Sequence, residues 1–208
     1  MKGSFVIVGF FVFGCLLGRS GLLPEVFLSH DLSQYVLYLL MFLVGISIGS
    51  DKKLKEILRS LRPKLLLVPL ATVVGTLVFS ALVSLVISRW TVFDCLAVGS
   101  GFAYYSLSSI LITEMKTASL GIQLATELGT IALMANILRE IFTLLGAPFW
   151  VKHFGRLAPI CAGGATTMDT TLPVITRYAG KDLVFVSIFH GILVDFTVPF
   201  FVSLFCSF

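Results

Sequence analysis

Apolar stretches long enough to cross a bilayer recur along this chain, with only short polar segments between them. A membrane helix needs about 20 mostly apolar residues. Candidate spans read as 4–22, 32–50, 65–88, 92–113, 128–150, 157–177 and 183–206. Lipid offers no hydrogen bonds, so such spans must satisfy their backbone internally as helices. The expected fold is therefore all-α: a polytopic membrane protein of about seven transmembrane helices. It forms a single domain over 1–208, with the first two helices in 1–50, a basic cytoplasmic loop at 51–64 and the core in 65–208.

Composition supports a membrane solvent. Hydrophobic residues make up 57% of the chain and charged residues 12%, against about 25% charged in a soluble domain. With a mean hydropathy of +1.02, a water-facing fold would leave large apolar patches open. The net charge of +4 does not indicate nucleic acid, because the basic residues cluster between apolar runs as topology signals do. Cys15, Cys95, Cys161 and Cys206 show no metal-ligand spacing and read as small apolar fillers. No metal or cofactor is expected. Residues 12–15 loosely resemble a lipoprotein cleavage box, but the apolar run continues through Leu16 and Leu17, which reads as a retained first helix.

Lysine and arginine set the expected orientation. Seven spans with the N-terminus inside place Lys2, the basic segment DKKLKEILRSLRPK (51–64), Lys116, Arg177 and Lys181 on the inner side, and Arg19, Arg89, Lys152 and Arg156 outside. The C-terminus is then outside. The segment 114–127 is open to three readings: a loop, an interfacial helix or part of another pass.

Two spans carry glycine-rich interruptions, near 99–101 and 162–167. An offset of 63 aligns Gly101 with Gly164, Ser106 with Asp169, Ser108 with Thr171, and Ile112-Thr113 with Ile175-Thr176. Unwound backbone survives at membrane depth only inside protein or beside a wet cavity, and paired Gly-broken spans point to a transporter site. Freed helix ends suit charged ligands, and Gly163 and Gly164 sit at one such break. The bland alternative is close helix packing through small residues. In a seven-span arrangement the two segments run in the same direction, which excludes an inverted repeat between them.

Ionisable residues inside spans are costly and therefore functional candidates. Glu140, Asp169 and Asp195 are the main ones, with Glu127, Arg139 and His190 secondary. Asn136, Glu140 and Thr143 share one helical stripe, and Ser187, Gly191 and Asp195 share another. Buried carboxylates suit an ammonium group or a proton, and competition between the two for one acid would couple their movements as antiport. Hydroxyls such as Ser106, Ser108, Thr170 and Thr171 leave Na⁺ coupling open. Glu140 and Asp195 as mere partners of Arg139 and His190 is the structural alternative.

The segments GSGFAYYSLSSILITE (99–114), MANILREIFTLL (134–145), LAPICAGGATTMDTTLPVITRYAGKD (157–182) and SIFHGILVDFTVPF (187–200) resemble the bacterial lysine exporter family, LysO. The resemblance implies export of L-lysine, and of lysine analogues, across the inner membrane, with Glu140 in LRE and Asp169 in MDTT at the site. It also implies a short form. Longer members carry an N-terminal hydrophobic region, which a small separate membrane protein or a homodimer would replace here.

Two other classes compete. An intramembrane aspartyl protease would use Asp169 and Asp195, but Met168 and Val194 precede them in place of that class's signature residues. A non-transporting subunit of a membrane complex accounts for the length but not for the broken spans and buried acids. Arginine, ornithine or a polyamine would suit the same acids as lysine does. No P-loop or catalytic triad is present, so no enzyme is expected.

Overall fold

The computed structural model describes residues 63–208, together with Phe13, Leu16, Leu17, Arg19, Tyr35, Leu39, Phe42 and Ile46, all of them helical. The chain divides into two compact units, Met1–Phe42 and Leu43–Phe208, and the candidate site lies wholly in the second. Apart from those eight residues, the two expected N-terminal spans lie outside the described residues, as does most of the basic segment, 51–62.

Among the described residues the fold is entirely helical. After a 3-10 turn at Pro63–Leu66 come α1 (Leu67–Val83), α2 (Val92–Gly99), α3 (Tyr105–Leu120), α4 (Ile122–Phe154), α5 (Ala158–Gly163), α6 (Leu172–Ala179) and α7 (Val184–Cys206). Further 3-10 turns occupy Gly164–Met168 and Lys181–Leu183. The helix α4 and the stretch Lys181–Cys206 are long and apolar enough to cross a membrane, and α1 is a shorter apolar helix. Phe79, Phe142, Leu145, Phe196 and Phe200 stand 60–76% exposed. In water these side chains would drive aggregation, and lipid covers them at no cost.

Two clusters define opposite ends of the bundle. At one end the Lys116 ammonium meets Asp94 at 2.8 Å, and both side chains are almost fully buried. There Phe93 stacks on Phe208 at 4.8 Å between centroids, and Arg89 pairs with Glu127. At the other end Ile160, Ile175, Ala179 and Val186 form a core patch, packed against Leu65, Val68, Val151 and Leu183. Arg156 donates to the Ala179 carbonyl and pairs with Asp182 there. These are the Lys116 end and the Arg156 end.

The clusters fix the path. α1 runs from the Arg156 end to the Lys116 end, α4 runs back, and α7 repeats the direction of α1. α2 starts beside the place where α3 finishes, so the two are antiparallel. A continuous helix from residue 94 to 116 would separate them by about 33 Å, and instead they touch. The reading of 92–113 as one crossing is corrected accordingly: α2, about 12 Å long, and α3 form a hairpin that enters and leaves at the Lys116 end. α5 and α6 form a second hairpin at the Arg156 end, which corrects the reading of 157–177 in the same way.

Three further expectations change. The stretch 114–127 is helical except for Gly121, whose φ of 79° makes a one-residue turn between α3 and α4. That conformation is open to glycine and strained for other residues. The expected start of a span at Leu128 thus moves to Ile122. The charge assignment also fails, because Lys152 and Arg156 lie at the same end as Arg177 and Lys181, and Lys116 lies at the end of Arg89. Finally, the hairpins enter from opposite ends and their following helices, α4 and α7, run in opposite directions. The two hairpin-plus-helix units are therefore inverted, contrary to the same-direction reading. The physical reason is that each hairpin turns back where a crossing would continue.

Candidate functional site

The hairpin tips meet in the middle of the bundle. Between α2 and α3 the backbone adopts positive φ at Phe102 (43°) and Ala103 (75°). Both residues are essentially fully buried. Left-handed conformations cost a non-glycine residue about 1–2 kcal/mol each, so surrounding bonds must hold them. The Tyr104 amide donates to the Gly101 carbonyl at 2.6 Å, and the Ala103 amide donates to Asn136 Oδ1 at 2.7 Å. The Ala165 amide of the second tip donates to the Phe102 carbonyl at 2.8 Å. Residues 102 and 165 are partners under the offset of 63, so equivalent positions of the two hairpins touch.

Gly164 permits this contact. It adopts φ 60° and ψ −133°, and a Cβ there would collide with the Phe102 carbonyl. Gly163 is similarly crowded by Thr167 and Thr171. Asn136, which is buried, also donates to the Ala132 carbonyl at 2.8 Å and lies 3.4 Å from Ser108 Oγ. Ser108 in turn donates to the Tyr104 carbonyl. Asn136, Ser108, Gly163, Gly164 and Thr171 therefore shape the tips and do not line a cavity beside the acids.

Arg139 and His190 do not pair with acids among the described residues. Arg139 donates from Nε to the Ala162 carbonyl at 2.8 Å and from Nη2 to the Cys161 carbonyl at 3.1 Å, capping the end of α5 where the helix dipole is negative. Its guanidinium lies over the Phe102 ring at 5.9 Å and reaches Thr76 on α1. It thus ties together both tips and α1. His190 is fully buried, with Nε2 2.8 Å from Thr72 Oγ1 and Nδ1 3.0 Å from Thr167 Oγ1. Those contacts tie α7 to α1 and to the second tip. Glu127 lies apart, in its exposed pair with Arg89.

The three remaining acids come together. Glu140 of α4, Asp169 and Asp195 of α7 line one cavity of about 230 Å³ at the tip junction. Its other lining residues are Ala103, Tyr104, Tyr105, Ser106, Ala165, Thr166, Met168 and Thr170. Asp169 accepts from the Thr170 amide at 2.6 Å. Asp195 is 7% exposed. No Lys, Arg or His contributes to this lining, so the cavity is anionic and edged by hydroxyls. Arg139 instead opens into a separate, mostly apolar cavity of about 260 Å³ between α1, α2 and α4.

Sequence reasoning passed over Tyr104, Tyr105, Thr166 and Met168 as lining residues, and it missed the Asp94–Lys116 pair. Thr91 and Asp94 carried a signal for the pair's acid. Their T-x-x-D spacing makes the reciprocal cap that starts α2.

Residues 8–206 match the family model described as lysine exporter LysO. The chain belongs to the lysine exporter LysO family. The lysine exporter LysO of Escherichia coli K12 is 34% identical over 207 residues, covering 98% of this chain and 64% of that protein. A putative lysine exporter of Haemophilus influenzae is 30% identical over 177 residues, 84% of each chain. This chain thus spans just under two thirds of the length of the Escherichia coli relative. No solved structure matches it. LysO is a family of transporters, not enzymes, and membership agrees with the exposed apolar surface of the bundle.

Proposed function

We propose that this chain exports L-lysine, and related cationic amino acids, from the cytoplasm by antiport with protons. The observation that carries the reading is the convergence of Glu140, Asp169 and Asp195, from three separate elements, on one cavity with no basic residue in its lining. Three carboxylates at membrane depth are tolerable only if a cation or protons accompany them. A lysine entering as a cation displaces a proton, and a returning proton displaces lysine. The relatives' names, lysine exporter and putative lysine exporter, fit a cationic substrate.

In this reading α2–α3 and α5–α6 are re-entrant hairpins that enter the membrane from opposite sides and meet at their tips. Inverted units with a substrate site where broken segments meet are a recurring transporter plan. Alternating access then follows from moving one hairpin tip at a time off the other. The Arg156 end faces the cytoplasm, because Lys152, Arg156, Arg177 and Lys181 gather there as basic residues do on the inner side. The start of the described bundle, at Pro63, is then cytoplasmic and the C-terminus is outside the inner membrane; two spans in 1–50, as expected from the sequence, would put the N-terminus in the cytoplasm too.

The test uses bacterial cells lacking their own lysine exporters. These are fed a lysine-containing dipeptide while cytoplasmic lysine is followed, with the chain alone and with any separately encoded small membrane partner. Lysine falls with the chain present, and the fall disappears in Glu140→Gln and Asp169→Asn variants that still reach the membrane. Unchanged export by both variants refutes the acid-dependent mechanism. A fall in arginine or a polyamine, with none in lysine, refutes the lysine assignment.

A further inference from the structure

The cavity has one feature that a simple cation site does not need. α3, which is 16 residues long, begins at its edge with no side chain capping the first turn. The first helical amide to find an acceptor is that of Ser108, on the Tyr104 carbonyl. The amides of Tyr105, Ser106 and Leu107 precede it, and Tyr105 and Ser106 line the cavity. They present free N–H groups and the positive end of the helix dipole, a place suited to a carboxylate.

Independently, Asp195 projects into the same cavity. The residue is more than nine-tenths buried, and its carboxylate has no hydrogen-bond or ion-pair partner among the described residues. Pro199, four residues on, has no N–H to give the Asp195 carbonyl. Asp169 is different, being exposed and already accepting a backbone amide. A buried carboxylate left without a partner is stabilised either by a proton or by a ligand cation, the two occupants that an antiport site exchanges.

We propose that the cavity reads its substrate as an α-amino acid, with the α-carboxylate on the free amides at the start of α3, the α-ammonium on Asp195, and the side-chain ammonium between Glu140 and Asp169. This rests on the proposed cationic amino-acid substrate and adds to it a reason for rejecting diamines. A diamine leaves the α3 amides unanswered, and a molecule without the α-ammonium leaves Asp195 unpaired. Unpaired polar groups in a site built for them discriminate strongly.

The test is competition against radiolabelled lysine bound to the full chain in proteoliposomes. The competitors are unlabelled lysine, 1,5-diaminopentane, which lacks the carboxylate, and 6-aminohexanoate, which lacks the α-ammonium. Each analogue is expected to compete about 10-fold or more weakly than lysine, the size of one charged hydrogen bond. Asp195→Asn weakens lysine by a similar factor and leaves 6-aminohexanoate unchanged. Tyr105→Pro removes one amide at the first helical position, where proline is tolerated. Relative to Tyr105→Ala, it weakens lysine and 6-aminohexanoate but not 1,5-diaminopentane. Diaminopentane competing as well as lysine on the unaltered chain overturns the proposal without any variant. Equal weakening of lysine and 6-aminohexanoate by Asp195→Asn overturns it as well. Absence of lysine binding to the folded, unaltered chain overturns the underlying substrate reading, and this inference with it.

Discussion

Replacing Gly164 with alanine tests whether the tip contact supports the site. The glycine sits at φ 60° and ψ −133°, a region where an L side chain costs about 1–3 kcal/mol. The new Cβ would also collide with the Phe102 carbonyl, so the tips must separate and the 2.8 Å bond from the Ala165 amide is lost. That loss adds about 1 kcal/mol. Together the docked arrangement weakens by about 2–4 kcal/mol, a factor of roughly 30 to 1,000 in its population. The comparison variant is Gly75→Ala, in α1, where a Cβ meets nothing within 4 Å and alanine favours helix. Both are purified in detergent for thermal unfolding and assayed for lysine export in cells. Gly164→Ala is expected to melt lower and export little, with Gly75→Ala close to the unaltered chain. Unchanged melting and export in Gly164→Ala would show that the tip contact does not support the site.

Other consequences are equally direct. Lys116→Met leaves Asp94 as a buried charge without its counter-ion at the base of the first hairpin, and destabilisation of about 3–5 kcal/mol is expected by denaturation. Adding Asp94→Asn should recover much of it in a double-mutant cycle. Glu127→Gln removes only an exposed ion pair, and it should change stability by under about 1 kcal/mol and leave export intact. Thr72→Val removes the hydroxyl 2.8 Å from His190 Nε2, and a loss of about 1–3 kcal/mol is expected from the buried ring nitrogen left unsatisfied. Single cysteines at Lys152 and Lys181, in a cysteine-depleted chain, should react with an impermeant thiol reagent from the same side of the membrane. Labelling from opposite sides would contradict the hairpin reading of 157–182.

Much of the helical content was legible because hydropathy reports local chemistry. α7 closely follows the expected 183–206, and the glycine-rich stretches at 99–101 and 162–167 coincide with the ends of α2 and α5. The fold-back was not legible, because an apolar hairpin and an apolar crossing of the same length have the same hydropathy. The deciding contacts, Asp94 with Lys116 and Arg156 with Asp182, join residues far apart in sequence, and no pattern in one chain ties them together. Misreading the hairpins as crossings then misplaced Lys116, Lys152 and Arg156. Within the cavity, Glu140, Asp169 and Asp195 were visible because acids are costly in apolar sequence. Arg139 and His190 were visible for the same reason, yet they serve the tips. Which of the two roles a polar residue takes depends on tertiary direction, as the neighbours Arg139 and Glu140 illustrate by opening into different cavities.

The most direct test of the central claim is proton flux in proteoliposomes loaded with lysine and containing a pH-sensitive dye. With a lysine gradient directed outward and no membrane potential, proton antiport acidifies the lumen as lysine leaves and protons enter. No such change is expected in Glu140→Gln or Asp169→Asn. Lysine efflux without proton entry, or with Na⁺ entry in its place, would contradict proton antiport. Proton-coupled efflux that survives loss of both acids would contradict the assignment of the cavity.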